Sequence, residues 1–194
     1  MFSRASIDAP KGRRPVATGE AKRNPWKGIG DLSRPNGATE YSLSMPGTFH
    51  NLKFHLVFST KHRKPWLTND IRPRAHEYLG GIIRGERGKV LAVGGVADHV
   101  HILFGWRTDE SIATLVRNLK ANSSKWIHET FPELHQFRWQ EGYAIFSVSQ
   151  SLMERVQRYI QTQEEHHRRK TFQDELREFL RAHEIEFDER YLWD

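Results

Sequence analysis

Val90-Leu91-Ala92-Val93-Gly94-Gly95-Val96-Ala97-Asp98-His99-Val100-His101-Ile102-Leu103 is the stretch on which the fold turns. Val90 to Val96 is an apolar run of strand length, and His99 to Trp106 reads as the strand that follows it. Asp98 lies at the junction, in an expected hairpin turn. Side chains alternate across a strand, so Val100 and Ile102 share one face while His99 and His101 share the other. The Val/Ile face suits packing against helices. The His face is expected to be open to solvent, a ligand or a metal.

Upstream, Leu52, Phe54, Leu56 and Phe58 alternate with Lys53, His55 and Val57, the period of a strand. The basic loop Lys61-His62-Arg63-Lys64-Pro65 comes next. The spacing of Leu79, Ile82 and Ile83 predicts a helix over 71–87, ended by the glycines from Gly85 to Gly88. Downstream, Ile112, Leu115, Leu119 and Trp126 mark the inward face of a helix over 111–130, and 143–148 reads as a fourth strand. Ser151 followed by Glu154 fits a capping box, which starts a helix expected to run towards Arg168. Residues 172–183 form one more amphipathic helix, and 190–194 an ordered or docking tail. The order β-α-β-β-α-β-α-α predicts an α+β fold. It is a ferredoxin-like split βαβ, an antiparallel four-stranded sheet with helices on one face plus a C-terminal helix bearing Tyr159.

Charge is unevenly spread. Residues 1–44 carry eight Lys/Arg and four Asp/Glu, residues 171–194 carry three Arg and eight acids, and 45–170 hold 19 bases and 12 acids. A basic body with an acidic tail suits a polyanionic ligand. There is no cysteine, which excludes disulfides, zinc ribbons and thiol catalysis. Residues 1–44 are rich in Gly, Pro, Ser, Arg and Lys without a sustained period, so they read as a disordered basic leader, with Met45 the expected start of the folded unit. No secretory signal is seen, and the longest apolar run falls far short of the roughly 20 residues of a spanning helix. The expectation is a soluble cytoplasmic protein with no membrane partner.

Two segments carry chemistry. His99 and His101 offer two imidazoles on one side of a strand, a pattern that suits several divalent metals and is weak by itself. Tyr159 and Gln163 stand one helical turn apart on one face, off the Met153, Val156 and Ile160 stripe. A tyrosine hydroxyl is a poor nucleophile at neutral pH, its pKa being near ~10. A divalent metal on His99, His101 and Gln163 would polarise a phosphodiester and stabilise the departing oxygen. Attack by Tyr159 on phosphorus then leaves a phosphotyrosine link and a free 3′-OH. Because the link keeps the phosphodiester energy, a second 3′-OH can reseal it. Taken singly, Tyr159 reads more readily as a rim residue with a wet hydroxyl than as a nucleophile.

Three passages together resemble the HUH-type single-tyrosine transposases of the smallest bacterial insertion sequences, a group that includes the REP-associated tyrosine transposases. They are Phe54-His55-Leu56-Val57-Phe58-Ser59-Thr60-Lys61, the Gly94 to Leu103 text quoted above, and Tyr159-Ile160-Gln161-Thr162-Gln163-Glu164-Glu165-His166-His167. The resemblance covers 45–194. It implies a DNA transposase with Tyr159 as nucleophile, His99, His101 and Gln163 as metal ligands, and Mg²⁺ or Mn²⁺ as the metal. It further implies single-stranded DNA with hairpins as substrate, a 5′-phosphotyrosine intermediate, and a homodimer in which the tyrosine helix often completes the partner's site. It does not account for 1–44.

DNA contacts are expected from Lys61, Arg63 and Lys64, with Trp66 beside them to stack on an unpaired base. Arg117 and Lys120 on the long helix form a second patch, with Lys125, and Arg168-Arg169-Lys170 a third; all of these read equally as solvated charges. His166 and His167 lie near the tyrosine face and can position DNA or move a proton, or can simply end a helix. His55 is expected to be a sheet-face residue, Trp139 and Phe146 to be core, and Asp98 to serve the turn or to orient a histidine. Three other functions share these residues: a domesticated relative nicking host repeat hairpins, a non-catalytic ferredoxin-like nucleic-acid-binding module, and a metal phosphodiesterase using water.

Overall fold

The computed structural model describes residues 49–193. The expectation of a disordered leader over 1–44, and of a folded unit beginning at Met45, lies outside the described residues. Four strands and five helices are placed: β1 (Leu52–Ser59), α1 (Arg72–Gly85), β2 (Lys89–Gly95), β3 (His99–Trp106), α2 (Ile112–Thr130), β4 (Ala144–Ser147), α3 (Met153–Gln161), α4 (Gln163–His166) and α5 (Phe172–Ala182). The sheet order is β2-β3-β1-β4, antiparallel throughout. This is the ferredoxin-like α+β sheet expected from the element order.

The alternation of β1 and β3 sets the two faces. Leu56, Phe58, Val100, Ile102, Phe104 and Trp106 point one way and pack on Leu79 and Ile83 of α1 and on Leu115, Leu119 and Ile127 of α2. This face builds the main core, and Trp139 joins it as expected. In register, Ser59 pairs with His99, Val57 with His101 and His55 with Leu103, so these residues share the opposite face. Phe146, expected in the core, packs on that opposite side with Val57, Phe172, Leu176 and Leu180. Ala92 and Leu103 meet Met153 and Ile160 of α3 there as well.

Three expectations are corrected. The His face is not open, because α3, α4 and α5 cover it and both His99 and His101 have no exposed surface. The Ser151/Glu154 capping box does not form. Ser151 lies in the 3₁₀ turn Gln150–Leu152, its hydroxyl bonded to that of Ser149 at 3.0 Å, and α3 begins at Met153 behind Leu152 with no side-chain cap. The helix does not run unbroken towards Arg168. It breaks at Thr162, a β-branched residue whose hydroxyl bonds back to the Arg158 carbonyl at 3.1 Å, and α4 restarts at Gln163. The last long helix, α5, starts on a genuine cap, with the Thr171 hydroxyl accepting from the Asp174 N–H at 3.2 Å.

Gly94 decides how close α3 can come. A Cβ there would meet the Ile160 carbonyl oxygen at 2.1 Å, so only glycine lets the helix back onto β2. Gly95 takes φ +136, a conformation that favours glycine, at the turn into Asp98. Among the described residues no helix is long and apolar enough to cross a membrane.

Candidate metal and tyrosine site

β3 delivers the two histidines, and the chain around them fixes each ring by one nitrogen. His99 Nδ1 donates to Asp98 Oδ1 at 2.7 Å. His101 Nδ1 is hydrogen-bonded to His55 Nε2 at 3.0 Å. Asp98 therefore does orient a histidine from its place beside the turn, and His55 is more than a sheet-face residue. In both rings the other nitrogen, Nε2, is buried and makes no hydrogen bond. A ring held at Nδ1 and free at Nε2 is the arrangement in which imidazole serves as a metal ligand, since the bond at one nitrogen fixes the lone pair at the other.

Tyr159 stands in the last full turn of α3, edge-on to the His101 ring at 5.8 Å between centroids and to His55 at 6.3 Å. It is not a wet rim residue: its hydroxyl is buried and unpartnered. The His166 ring lies 5.1 Å away and Phe179 5.7 Å away. Gln163, fully buried, follows the break at Thr162. Its Nε2 donates to Glu175 Oε1 at 3.3 Å, and its Oε1 meets His167 Nε2 at 2.9 Å.

Glu175 of α5 is the participant that the sequence did not single out. Its carboxyl lies 3.3 Å from His101 Nε2, 3.3 Å from His166 Nε2 and 3.6 Å from His167 Nε2. These are not ion pairs at neutral pH. Burial pushes the Glu175 carboxyl up to about 8, helped by Glu178 and Asp98. Burial drives His101 well below 6.5, and His55 and His167 down to about 4. Burial also raises the Asp98 carboxyl, but the hydrogen bond and charge of His99 outweigh it and the net shift is downward. A neutral acid among neutral imidazoles, several with an orphaned atom, costs folding energy, roughly 1–3 kcal/mol for each unsatisfied group. A divalent cation satisfies them together. His99, His101, His167 and Glu175 each offer one ligand atom, and these atoms lie within 4.8 Å of one another. The donor set present thus fits a metal.

α5 also roofs the site. Phe172 stacks on His99 with centroids 4.3 Å apart, and Phe179 lies edge-on to His55 at 5.3 Å.

The expected DNA-contact residues fall in two places. The segment after β1 is anchored at the His99 end of β3, with the Thr60 N–H donating to the Asp98 carbonyl at 2.8 Å and the Leu67 N–H to the Ala97 carbonyl at 2.9 Å. This sets Lys61, Arg63 and Lys64 beside the site. Trp66 packs half-buried on the main core, with the Lys64 ammonium 5.6 Å from its ring centre. Arg117 and Lys120 ride on α2, which covers the other face. Arg117 is exposed. Lys120 is not a solvated charge: its ammonium donates to the carbonyls of Gln140, Glu141 and Gly142 at 2.8, 3.0 and 2.6 Å, and burial lowers its pKa to about 8.

Fold and site together define a ferredoxin-like protein with a buried histidine–tyrosine cluster on one face of its sheet. Residues 48–163 match the model of the IS200-like transposases, and the chain belongs to that family. It is 25% identical over 122 residues to the ISDra2 transposase TnpA of Deinococcus radiodurans, covering 60% of this chain and 87% of that protein. It is 27% identical over 125 residues to the transposase of insertion sequence element IS200 from Salmonella typhimurium, covering 62% and 82%. A crystal structure described as a transposase from Deinococcus radiodurans superposes with a TM-score of 0.51 at 27% identity, over 60% of this chain and 94% of that one.

Proposed function

We propose that this transposase cleaves and rejoins single-stranded DNA through Tyr159, at ends marked by hairpins. The observation that carries the reading is the buried, unpartnered hydroxyl of Tyr159, packed against a histidine whose Nε2 is free. His99 and His101 would hold a divalent cation, Mg²⁺ or Mn²⁺, with Gln163 as the third ligand that the family resemblance implies. When bound, the cation supplies charge neutralisation at the scissile phosphate and stabilises the departing oxygen.

The remaining steps belong to the chain. Asp98 and His55 keep the two imidazoles aimed. Tyr159 Oη attacks phosphorus, the bond from phosphorus to the 3′ oxygen breaks, and the 3′-OH departs while the 5′-phosphate stays on the tyrosine. The tyrosine proton would pass to the neutral ring of His166, 5.1 Å away between centroids and kept neutral by burial, and from there to the departing 3′ oxygen. Attack by another strand's 3′-OH reverses the step and restores Tyr159. Lys61, Arg63 and Lys64 would hold the DNA backbone beside Asp98, with Trp66 next to them, while Arg117 on α2 would offer a separate contact. Lys120 instead ties α2 to the loop over residues 140–142. The active form would be a homodimer. Phe179 lies edge-on to Tyr159 and Phe172 stacks on His99, so α5 forms one wall beside the attacking tyrosine.

The test mixes the protein with labelled single-stranded hairpin DNA from the flanks of its own gene and Mg²⁺ or Mn²⁺. A denaturation-resistant protein–DNA adduct is expected. Tyr159→Phe should abolish it while the fold is kept. Cleavage that persists in Tyr159→Phe with a water-hydrolysed product would assign the chemistry to a metal phosphodiesterase instead.

A further inference from the structure

His167 and Glu175 lie beyond residue 163, where the family match ends. His167 Nδ1 is hydrogen-bonded to the Lys170 carbonyl at 2.9 Å, and Nε2 stands 2.9 Å from Gln163 Oε1. A neutral imidazole has a single N–H. With Nδ1–H given to Lys170, Nε2 turns its lone pair towards the Gln163 amide, 2.9 Å away. A cation between them would take that lone pair and the amide oxygen together. Glu175 Oε2, buried and without a hydrogen bond, faces the same space from α5, 3.3 Å from His101 Nε2.

We propose that His167 and Glu175 join His99, His101 and Gln163 in one five-donor, nitrogen-rich site that selects a transition-metal ion such as Mn²⁺ over Mg²⁺. The inference rests on the reading that His99 and His101 bind a metal. Donors on one small divalent cation stand at ~2.0–2.2 Å from it, so a pair of them is at most about 4.4 Å apart. The three imidazoles and Glu175 offer atoms within 4.8 Å of one another, a spread that small side-chain rotations close, and Gln163 Oε1 adjoins them 2.9 Å from His167 Nε2. Three imidazoles favour transition-metal ions over Mg²⁺, Mn²⁺ binding the least tightly of them, whereas Mg²⁺ prefers an all-oxygen shell with retained water. Glu175 contributes the one formal negative charge among the five ligands. Because it comes from α5, the metal also pins the roof of the site to its floor.

Binding to the chelator-stripped full chain tests this without DNA. Mn²⁺, Mg²⁺ and Zn²⁺ are titrated by calorimetry, with the ligand field of Co²⁺ read from its visible spectrum. The wild type should bind Mn²⁺ on the order of tenfold or more tightly than Mg²⁺. Glu175→Gln, which keeps the shape of the side chain, and His167→Ala should each weaken Mn²⁺ roughly 10–100-fold and alter the Co²⁺ spectrum. Circular dichroism confirms that each variant is folded, and Glu175→Gln alone decides the matter if His167→Ala is not. Unchanged affinity in both, with binding lost in His99→Ala, overturns the five-donor site and leaves the two-histidine reading standing. Binding that survives His99→Ala contradicts that earlier reading as well.

Discussion

The two faces of one sheet are built from alternate residues of the same strands, yet they answer to different demands. On one face Leu56, Phe58, Val100, Ile102 and Phe104 meet α1 and α2 in a single apolar cluster. On the other, His55, His99 and His101 are buried beneath α3, α4 and α5, but His99 and His101 each keep an Nε2 without a hydrogen bond. A protein selected for stability alone would fill the second face like the first, since orphaned polar atoms cost folding energy. The contrast teaches that the first face holds the molecule together and the second is kept ready for a ligand.

Matched substitutions on β3 sharpen that contrast most. His101→Ala should lower adduct formation by more than ~100-fold, since it removes a ligand outright. Its melting temperature should fall less than an apolar truncation's, because losing the packing and the His55 bond is offset in part by removing the orphaned Nε2. Ile102→Ala, one residue on and facing α2, should cost about 2–5 kcal/mol of stability and leave the chemistry of the folded fraction intact. Thermal melting beside an adduct assay separates the two, and equal losses of stability from both would erase the distinction between the faces.

Gly94→Ala probes how the second face is assembled. The added methyl would press on the Ile160 carbonyl and push α3, with Tyr159, off β2. A displacement of about 1 Å at a reacting group costs on the order of 10²-fold in rate. Cleavage should therefore fall far more than the modest loss in melting temperature suggests. Wild-type rates in this variant would show that the seating of α3 on β2 is not what aims the tyrosine.

The smallest effect is in the pH dependence of the metal-free protein. Glu175 is raised from 4.5 to about 8, so its contribution is complete below pH 4.5 and is lost as pH climbs towards 8. His55 and His167 are lowered from 6.5 to about 4, so their contribution is present above 6.5 and is lost as pH falls towards 4. Glu175→Gln removes only the alkaline loss. Its melting temperature should exceed that of the wild type by a margin that grows between pH 5 and 8. A constant margin across that range would mean that Glu175 is already ionised in the folded protein.

Much of this was legible in the chain, and the reasons differ by element. β3 was readable to its ends because its alternation is unbroken from His99 to Trp106. The helices α1 and α2 were readable because their apolar stripes face a wholly apolar partner. The break at Thr162 was not, since the charged sequence around it continues a helical pattern and only the packing of Gln163 inward reveals the restart. The roles of Asp98 and His55 needed the turn and the β1–β3 register to be seen. Glu175 left one signal that went unused: it is an acid between Phe172, Leu176 and Phe179, on the inward side of an amphipathic helix. A carboxylate in an apolar stripe is rarely buried without a partner, and here the partners are His101 on the distant strand β3 and Gln163, His166 and His167 around α4.

The most direct test of the account locates the covalent bond itself. The protein is incubated with single-stranded hairpin DNA and Mn²⁺, the DNA is digested to a short remnant, and the modified peptide is sequenced by mass spectrometry. A nucleotide phosphate on the Tyr159 oxygen, absent when EDTA is present, is the predicted result. A remnant on any other residue, or cleaved DNA with unmodified Tyr159 throughout the time course, would contradict it.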